Sequence, residues 1–332
     1  MIFFVICACF ALFPEKVILG AQNGLAMCIN AIIPSLLPFM LLSACLIKSG
    51  FSRPLGAVVS KVITPLTKIS ANGCVCLITG IIGGYGAGVR AISESYREKL
   101  IDKCEAERLL GICNNAGPIF VIGTIGVGFF DSKSIGTTLF IVQVITVVIC
   151  SMIFMPRLKM SKISVREEWN FYRKNRADLS SVIVESGISA GEAIISVCTF
   201  VITFSAILAV LPVEDYPIVS GFFEVMRGCS ELSRAGYGSL MLVSAAISWG
   251  GVSVHLQAKA LSGGVFNMKM YYIQKITAAF ISCGITKLVL TDIYIALFAC
   301  CMILGCAVIF TAYKFIFSKS FLKPLFRQQR HS

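Results

Sequence analysis

The sequence predicts an all-α polytopic membrane protein made of two pseudo-repeated halves, each with a glycine-rich interrupted or re-entrant segment. Three observations carry this. The 332 residues are 57% hydrophobic and 14% charged, where a soluble domain is about 25% charged. The apolar residues form long continuous runs, unlike the ~10-residue alternating pieces of a transmembrane β-barrel. Two apolar runs are broken by glycine at residues 81–92 and 247–257, with Gly83 and Gly84 matching Gly250 and Gly251 and Arg90 falling opposite Gln257. In lipid every backbone N–H and C=O needs a partner, so loosened backbone belongs only where protein or a watery cavity covers it. Close packing of small residues is the competing reading of those glycines.

The net charge is +12. In a membrane protein such an excess sits in cytoplasmic loops and sets orientation; no soluble basic stretch is long enough to imply a nucleic-acid partner. Most of the 15 cysteines lie inside apolar runs and none shows CxxC spacing. They read as small hydrophobes rather than metal ligands.

Taken in order, residues 1–16 are a short N-terminal membrane helix ending near Pro14. Residues 17–155 form the first repeat. Its opening span, residues 24–47, is expected to bend at Pro34 and Pro38, because proline removes an internal helix bond. Residues 51–68 mix Arg53, Lys61 and Lys68 with apolar residues and read as an amphipathic interfacial piece. The glycine-rich segment 71–92 follows, then a charged stretch, 93–107, expected in water. Residues 106–130 carry a second interruption at Asn114-Asn-Ala-Gly-Pro118, and 134–155 are a plain span. Residues 156–181 hold seven Lys or Arg and are expected to be a cytoplasmic loop.

The second repeat, residues 182–313, echoes the first. It offers a span at 188–211, a short acidic loop at 212–217, and a mixed piece at 218–232 taken as counterpart of 51–68. The interrupted segment 238–261 and spans at 270–290 and 293–317 complete it. The tail, 314–332, is basic through Lys319, Lys323, Arg327 and Arg330. Gly24 and Gly187 each open an apolar span. If the glycine-rich segments cross, the halves are parallel and the basic stretch 48–68 falls outside; if they are re-entrant, the halves are inverted and the basic tail falls outside.

Several segments together resemble a known family: Pro34-Ser-Leu-Leu-Pro-Phe39, Gly84-Tyr-Gly-Ala-Gly-Val-Arg90, residues 105–120 and Gly250-Gly-Val-Ser-Val-His-Leu-Gln257. The chain is similar to the YlbJ family of sporulation integral membrane proteins. That family sits in the wider Gate-domain (nucleoside-recognition) group, with concentrative nucleoside transporters and ferrous-iron transporters. The family's glycine segment usually reads Gly-Tyr-Pro-x-Gly-Ala-Lys; here Gly86, Val89 and Arg90 replace the proline, alanine and lysine. The resemblance implies a multi-pass cell-membrane protein of a spore former, in a mother-cell-derived membrane, exporting dipicolinic acid toward the forespore.

The residues themselves lead to a compatible expectation. Interrupted helices aim N-terminal N–H groups at anionic solutes, and Arg90 offers a fork suited to a carboxylate. The expected substrate site comprises Gly84, Tyr85, Gly86, Gly88, Arg90, Asn114, Asn115, Gly250, Gly251, Ser253, His255 and Gln257. Glu192 and Glu224 are candidate coupling-ion sites. Each has a plainer reading: Arg90 snorkelling beside Glu94, Asn114 capping a proline kink, Glu224 paired with Arg227, His255 packed in the core. No HExxH, GxGD or Walker lysine is present, so neither an enzyme nor an ATPase is expected, and no cofactor or metal. The expected partners are a small organic anion, the lipid bilayer, and a second copy or sporulation membrane proteins. A nucleoside-type carrier and a non-transporting scaffold are the alternatives.

Overall fold

The computed structural model describes residues 1–155, 164–175, 177–211 and 216–291. The span expected at 293–317, the basic tail, His331, most of the acidic loop and basic residues Arg157, Lys159, Lys162 and Arg176 lie outside the described residues. Everything below lies within Met1–Thr286, the first of two units, apart from the end of the last helix.

Among the described residues five helices are long and apolar enough to cross a bilayer: Pro14–Lys48, Lys133–Phe154, Leu179–Val210, Gly236–Leu261 and Lys269–Thr291. About 20 apolar residues suffice. A short α1 (Ile2–Leu12) precedes them. The first span begins earlier than its apolar run and is built from α2 (Pro14–Met27), one π turn (Cys28–Ile32) and α3 (Ile33–Lys48). Pro34 cannot donate to the carbonyl one turn back, and the irregularity falls on that preceding turn. The irregularity is therefore N-terminal to the proline pair.

The first glycine-rich segment is a hairpin. Helices α5 (Ala71–Gly83) and α6 (Ala87–Arg97) lie side by side. Cys76 Sγ is 3.4 Å from Ser95 Oγ, and Asn72 Nδ2 donates to the Leu100 carbonyl at 3.1 Å. Its tip is Gly84-Tyr85-Gly86, with φ of +85° and +82° at the glycines, a region open to residues without Cβ. The preceding helix α4 (Ser52–Thr67) is bent 86° from α5. The stretch 93–107, expected in water, is in part interior: Ser93, Glu94 and Ser95 are buried on the returning arm. The charges that reach solvent are those of Arg97, Glu98 and Lys99 at its base and Asp102 and Lys103 beyond.

Next, α7 (Lys103–Cys113) stops at Asn114, and the chain resumes as a π-helical segment, Ile119–Phe129. Helix α8 (Lys133–Phe154) follows, capped by the Ser132 hydroxyl. The expected basic loop contains a helix, α9 (Val165–Asn175). It packs on α4 through Phe51 against Trp169 and Tyr172 (ring centroids 6.0 and 5.4 Å) and an Arg53–Glu168 pair at 3.6 Å.

In the second half α10 (Leu179–Val210) begins well before Ile188, with Asp178 as its N-cap accepting the Ser181 N–H at 2.9 Å. Helices α11 (Pro217–Phe223) and α12 (Val225–Ser233) form a second hairpin around Glu224, where Gly221 lies against Gly228. Helices α13 (Leu240–Trp249) and α14 (Gly251–Leu261) belong to one span, broken at Gly250 (φ +86°). Helix α15 (Lys269–Thr291) ends the described part.

The two glycine-rich segments are therefore not equivalent: one is a hairpin tip, the other a break inside a crossing helix. Nor is 218–232 the counterpart of α4. By element order, each half has a long span, a hairpin, a broken span and a plain span, with α4 an addition to the first. Ile119–Phe129 is apolar but shorter than the five spanning helices. The contact between α4 and α9 brings the end of α3 and the stretch after α8 together. Arg53, Lys61 and the basic loop fall together there, the arrangement the positive-inside rule asks for.

Glycine permits the closest approaches. A Cβ on Gly24 would lie 2.8 Å from Ile202 Cα of α10, and one on Gly88 would collide with the Cys113 carbonyl, whereas Gly191 has open space. Gly88→Ala is predicted to destabilise the detergent-solubilised protein by about 1–3 kcal/mol through overpacking. Gly191→Ala should stay within about 0.5 kcal/mol. Thermal unfolding of the two variants checks this; equal midpoints would contradict the crossing.

Candidate substrate site at the crossing of the interrupted helices

In the first half, the hairpin tip and the break after α7 touch. A Cβ on Gly84 would lie 3.0 Å from the Gly117 nitrogen. Asn114, 0% exposed, links both interruptions. Its Oδ1 accepts the Gly86 N–H at 3.0 Å, its Nδ2 donates to the Tyr271 hydroxyl at 2.9 Å, and its carbonyl accepts from Lys275 Nζ at 2.8 Å. Gln143 of α8 donates to the Ala116 carbonyl at 2.7 Å, and Asn115 Nδ2 donates to the Ile112 carbonyl. Each of these side chains supplies a partner to backbone that an unbroken helix would have paired internally.

The second half uses a different device at the same kind of crossing. A Cβ on Gly251 would lie 2.9 Å from the Phe223 carbonyl oxygen, so the α13–α14 break rests on the tip of the second hairpin. At that tip the Glu224 carboxylate accepts the N–H groups of Met226 (3.2 Å) and Arg227 (2.7 Å), capping α12. His255 Nε2 donates to the Trp249 carbonyl at 2.9 Å, and Gln257 Nε2 donates to Ser253 Oγ at 3.1 Å.

The halves then meet. The Tyr85 hydroxyl donates to the Ile247 carbonyl of α13, and Ser93 Oγ donates to the Leu261 carbonyl at 3.3 Å. Between them lies a cavity of about 50 Å³, lined by Tyr85, Gly117, Glu224, Gln257, Ser35 and apolar neighbours. That volume holds a few waters and no organic solute. Ala31 and Met226 are shared with a wider cleft of about 780 Å³, whose wall includes Lys16, Asn23, Asn30, Arg227, Glu231 and Arg234. That size suits a small-molecule site. The cleft gathers the start of α2, the end of α10 and the end of the π-helical segment, the side opposite α4 and α9.

Of the residues expected to bind substrate, Tyr85 and Gln257 line the cavity. Gly84, Gly86, Asn114 and Asn115 form the first hairpin tip and the break after α7, Gly250 and Gly251 form the break between α13 and α14, and none of the six lines the cavity; Ser253 is engaged with Gln257. Gly88 packs on Cys113 one turn along the hairpin arm. His255 sits among Trp249, Tyr271 and Tyr272, with ring centroids 4.1, 5.2 and 5.5 Å away. Arg90 is not among the lining residues. Buried on α6, it pairs with Glu94 at 2.8 Å and donates to Ser189 of α10. Its charge is internally neutralised, and it neither snorkels nor faces the cavity. Of the acidic pair, Glu224 (2% exposed) lines the cavity and Glu192 is exposed on α10.

Sequence reasoning missed α15, read as a plain span. Lys275, 1% exposed, reaches the Asn114 carbonyl, and Gln274 accepts from Gly111 N (3.1 Å) while donating to the Arg108 carbonyl (2.8 Å). The available signal was a lysine inside an apolar run, which is costly and seldom kept without use.

Asn114→Ala should leave the Gly86 N–H without its acceptor and cost about 1–3 kcal/mol for a buried unsatisfied group. Thermal unfolding and hydrogen exchange at residues 84–88 test this; unchanged protection there would remove Asn114 as the link.

Comparison with known proteins gives one clear likeness. No family model matches the chain, and no solved structure matches it. It is similar to sporulation integral membrane protein YlbJ of Bacillus subtilis (strain 168), 25% identical over 315 residues that cover 79% of this chain and 75% of that protein. A likeness that runs through most of both chains, on a multi-pass helical architecture, supports membership of the YlbJ family of sporulation integral membrane proteins.

Proposed function

We propose that this protein is a membrane carrier for a small organic anion, with dipicolinic acid during sporulation as the substrate and a mother-cell-derived membrane as its place. The observation that carries the reading is the meeting of four interruptions, two from each half, around a small cavity beside a wide cleft. Two structural repeats of inverted topology, with broken helices facing one site, are the usual build of a secondary transporter. In this reading the conformation is open to one side at the cleft and closed at the cavity. The hairpins tilt to exchange access while the Arg90–Glu94 pair and Ser189 hold the first hairpin on α10.

Charge in the cleft supports an anionic solute. Lys16, Arg227 and Arg234 outnumber Glu231 on its wall, and a positive wall raises the local concentration of an anion. Glu224 gives the coupling. Its carboxylate lines the cavity, and two carboxylates in one poorly hydrated space cannot both stay ionised. A carboxylate substrate therefore enters with a proton taken up on Glu224.

Uptake of labelled dipicolinate into liposomes containing only this protein tests the proposal. The expected result is flux that rises when the substrate side is acidified. Glu224→Gln should keep substrate exchange and lose the pH stimulation, a fall of roughly tenfold in gradient-driven uptake, equal to about one pK unit of coupling. Flux no greater than in protein-free liposomes would contradict the carrier reading and favour a scaffold.

A further inference from the structure

We infer that Lys275 is the positive charge the transported anion meets, and that the Tyr85 ring is the partition separating that charge from the cavity in the present conformation. The inference rests on the carrier reading and names the charged contact within it.

Two buried cations stand near the crossing, and their surroundings differ. Arg90 has a carboxylate at 2.8 Å. Lys275 has none within ion-pair distance among the described residues. Its Nζ has the Asn114 carbonyl at 2.8 Å and the Tyr85 ring face, centroid 5.9 Å away. The other polar or ionisable groups around it are Cys150 of α8, His255 of α14 and Tyr271 on its own helix, none of them an acid. A carbonyl and an aromatic face stabilise an ammonium, but they do not balance its charge. Among the described residues this cation has no counter-ion, and an anionic solute is the group that supplies one.

The location fits the role. The Asn114 carbonyl that Lys275 holds belongs to the residue whose side chain holds the first hairpin tip. An anion drawing the ammonium away would loosen both first-half interruptions together. Tyr85 touches Lys275 on one side and lines the cavity on another, and its hydroxyl is held by Ile247 of the second half. The ring that closes the route to the charge is thus also a contact between halves. Release of Tyr85 from Ile247 opens the cavity toward Lys275 and frees the halves to move. Glu224 lies at the same cavity, so once it has taken up a proton the charge left for an entering carboxylate to meet is that of Lys275.

The test is competition in liposomes carrying the full chain, with dipicolinate and its uncharged diamide as competitors of labelled dipicolinate uptake. Wild-type protein should prefer the dianion. Lys275→Gln should lose that preference by roughly tenfold or more, the worth of a charge-assisted hydrogen bond, while Lys275→Arg keeps most of it. Unchanged preference in Lys275→Gln overturns the assignment and leaves the carrier reading standing. Absence of flux in wild-type protein removes both. If Lys275→Gln does not fold, the same comparison in Tyr85→Ala decides: a changed preference for the dianion supports the partition, and wild-type preference overturns it.

Discussion

The constraint on which the structure depends is that every backbone polar group in a dry interior must be paired. Four times the chain interrupts a helix there, and each time a side chain repairs the loss, from a neighbouring element in the first half and from the interrupted segment itself in the second. Asn114 does so for the first hairpin tip, Gln143 for the break after α7, Glu224 for the second hairpin and His255 for the break at Gly250. These repairs are side chains reaching across short gaps, and glycine is what makes the gaps short. Gly84 against Gly117 and Gly251 against Phe223 bring backbones closer than any side chain would allow. The cavity exists because the four interruptions are drawn to one place.

Charge follows a similar logic with a different outcome. Arg90 and Glu94 are buried together and offset one another, a structural pair that fixes a hairpin arm to α10. Lys275 and Glu224 are buried apart: a backbone carbonyl holds Lys275, and two backbone N–H groups hold Glu224 with the Arg227 charge nearby. Desolvating a buried charge costs several kcal/mol, and among the described residues Lys275 has no acid to offset that cost. A sequence listing treats these four residues alike; their surroundings separate a lock from a site.

The membrane class and the positions of interruption were legible because each has a local cause. Asn114-Asn-Ala-Gly-Pro118 cannot continue a helix, and the φ values at Gly84, Gly86 and Gly250 match what glycine-rich stretches are kept for. What each interruption becomes was not legible. Residues 83–86 turn the chain back, whereas 249–251 let it run on, and that difference lies in which neighbours fill the space. Asn72 reaching Leu100 and Cys76 meeting Ser95 make the hairpin, and neither pair has a sequence signature. Arg90 was read as the anion contact because an arginine after glycines fits that role, but Glu94, one turn on, claims it. Lys275 was passed over because the run around it is otherwise apolar, and α9 was hidden inside a charge-rich stretch that signals topology more strongly than helix.

A structure of the protein in lipid nanodiscs with saturating dipicolinate tests the central claim most directly. The account predicts ligand density between Tyr85, Gln257 and Glu224, with the Tyr85–Ile247 contact broken and Lys275 turned toward the ligand. Density confined to the outer cleft beside Lys16 and Arg234, with all four interruptions unmoved, would contradict it.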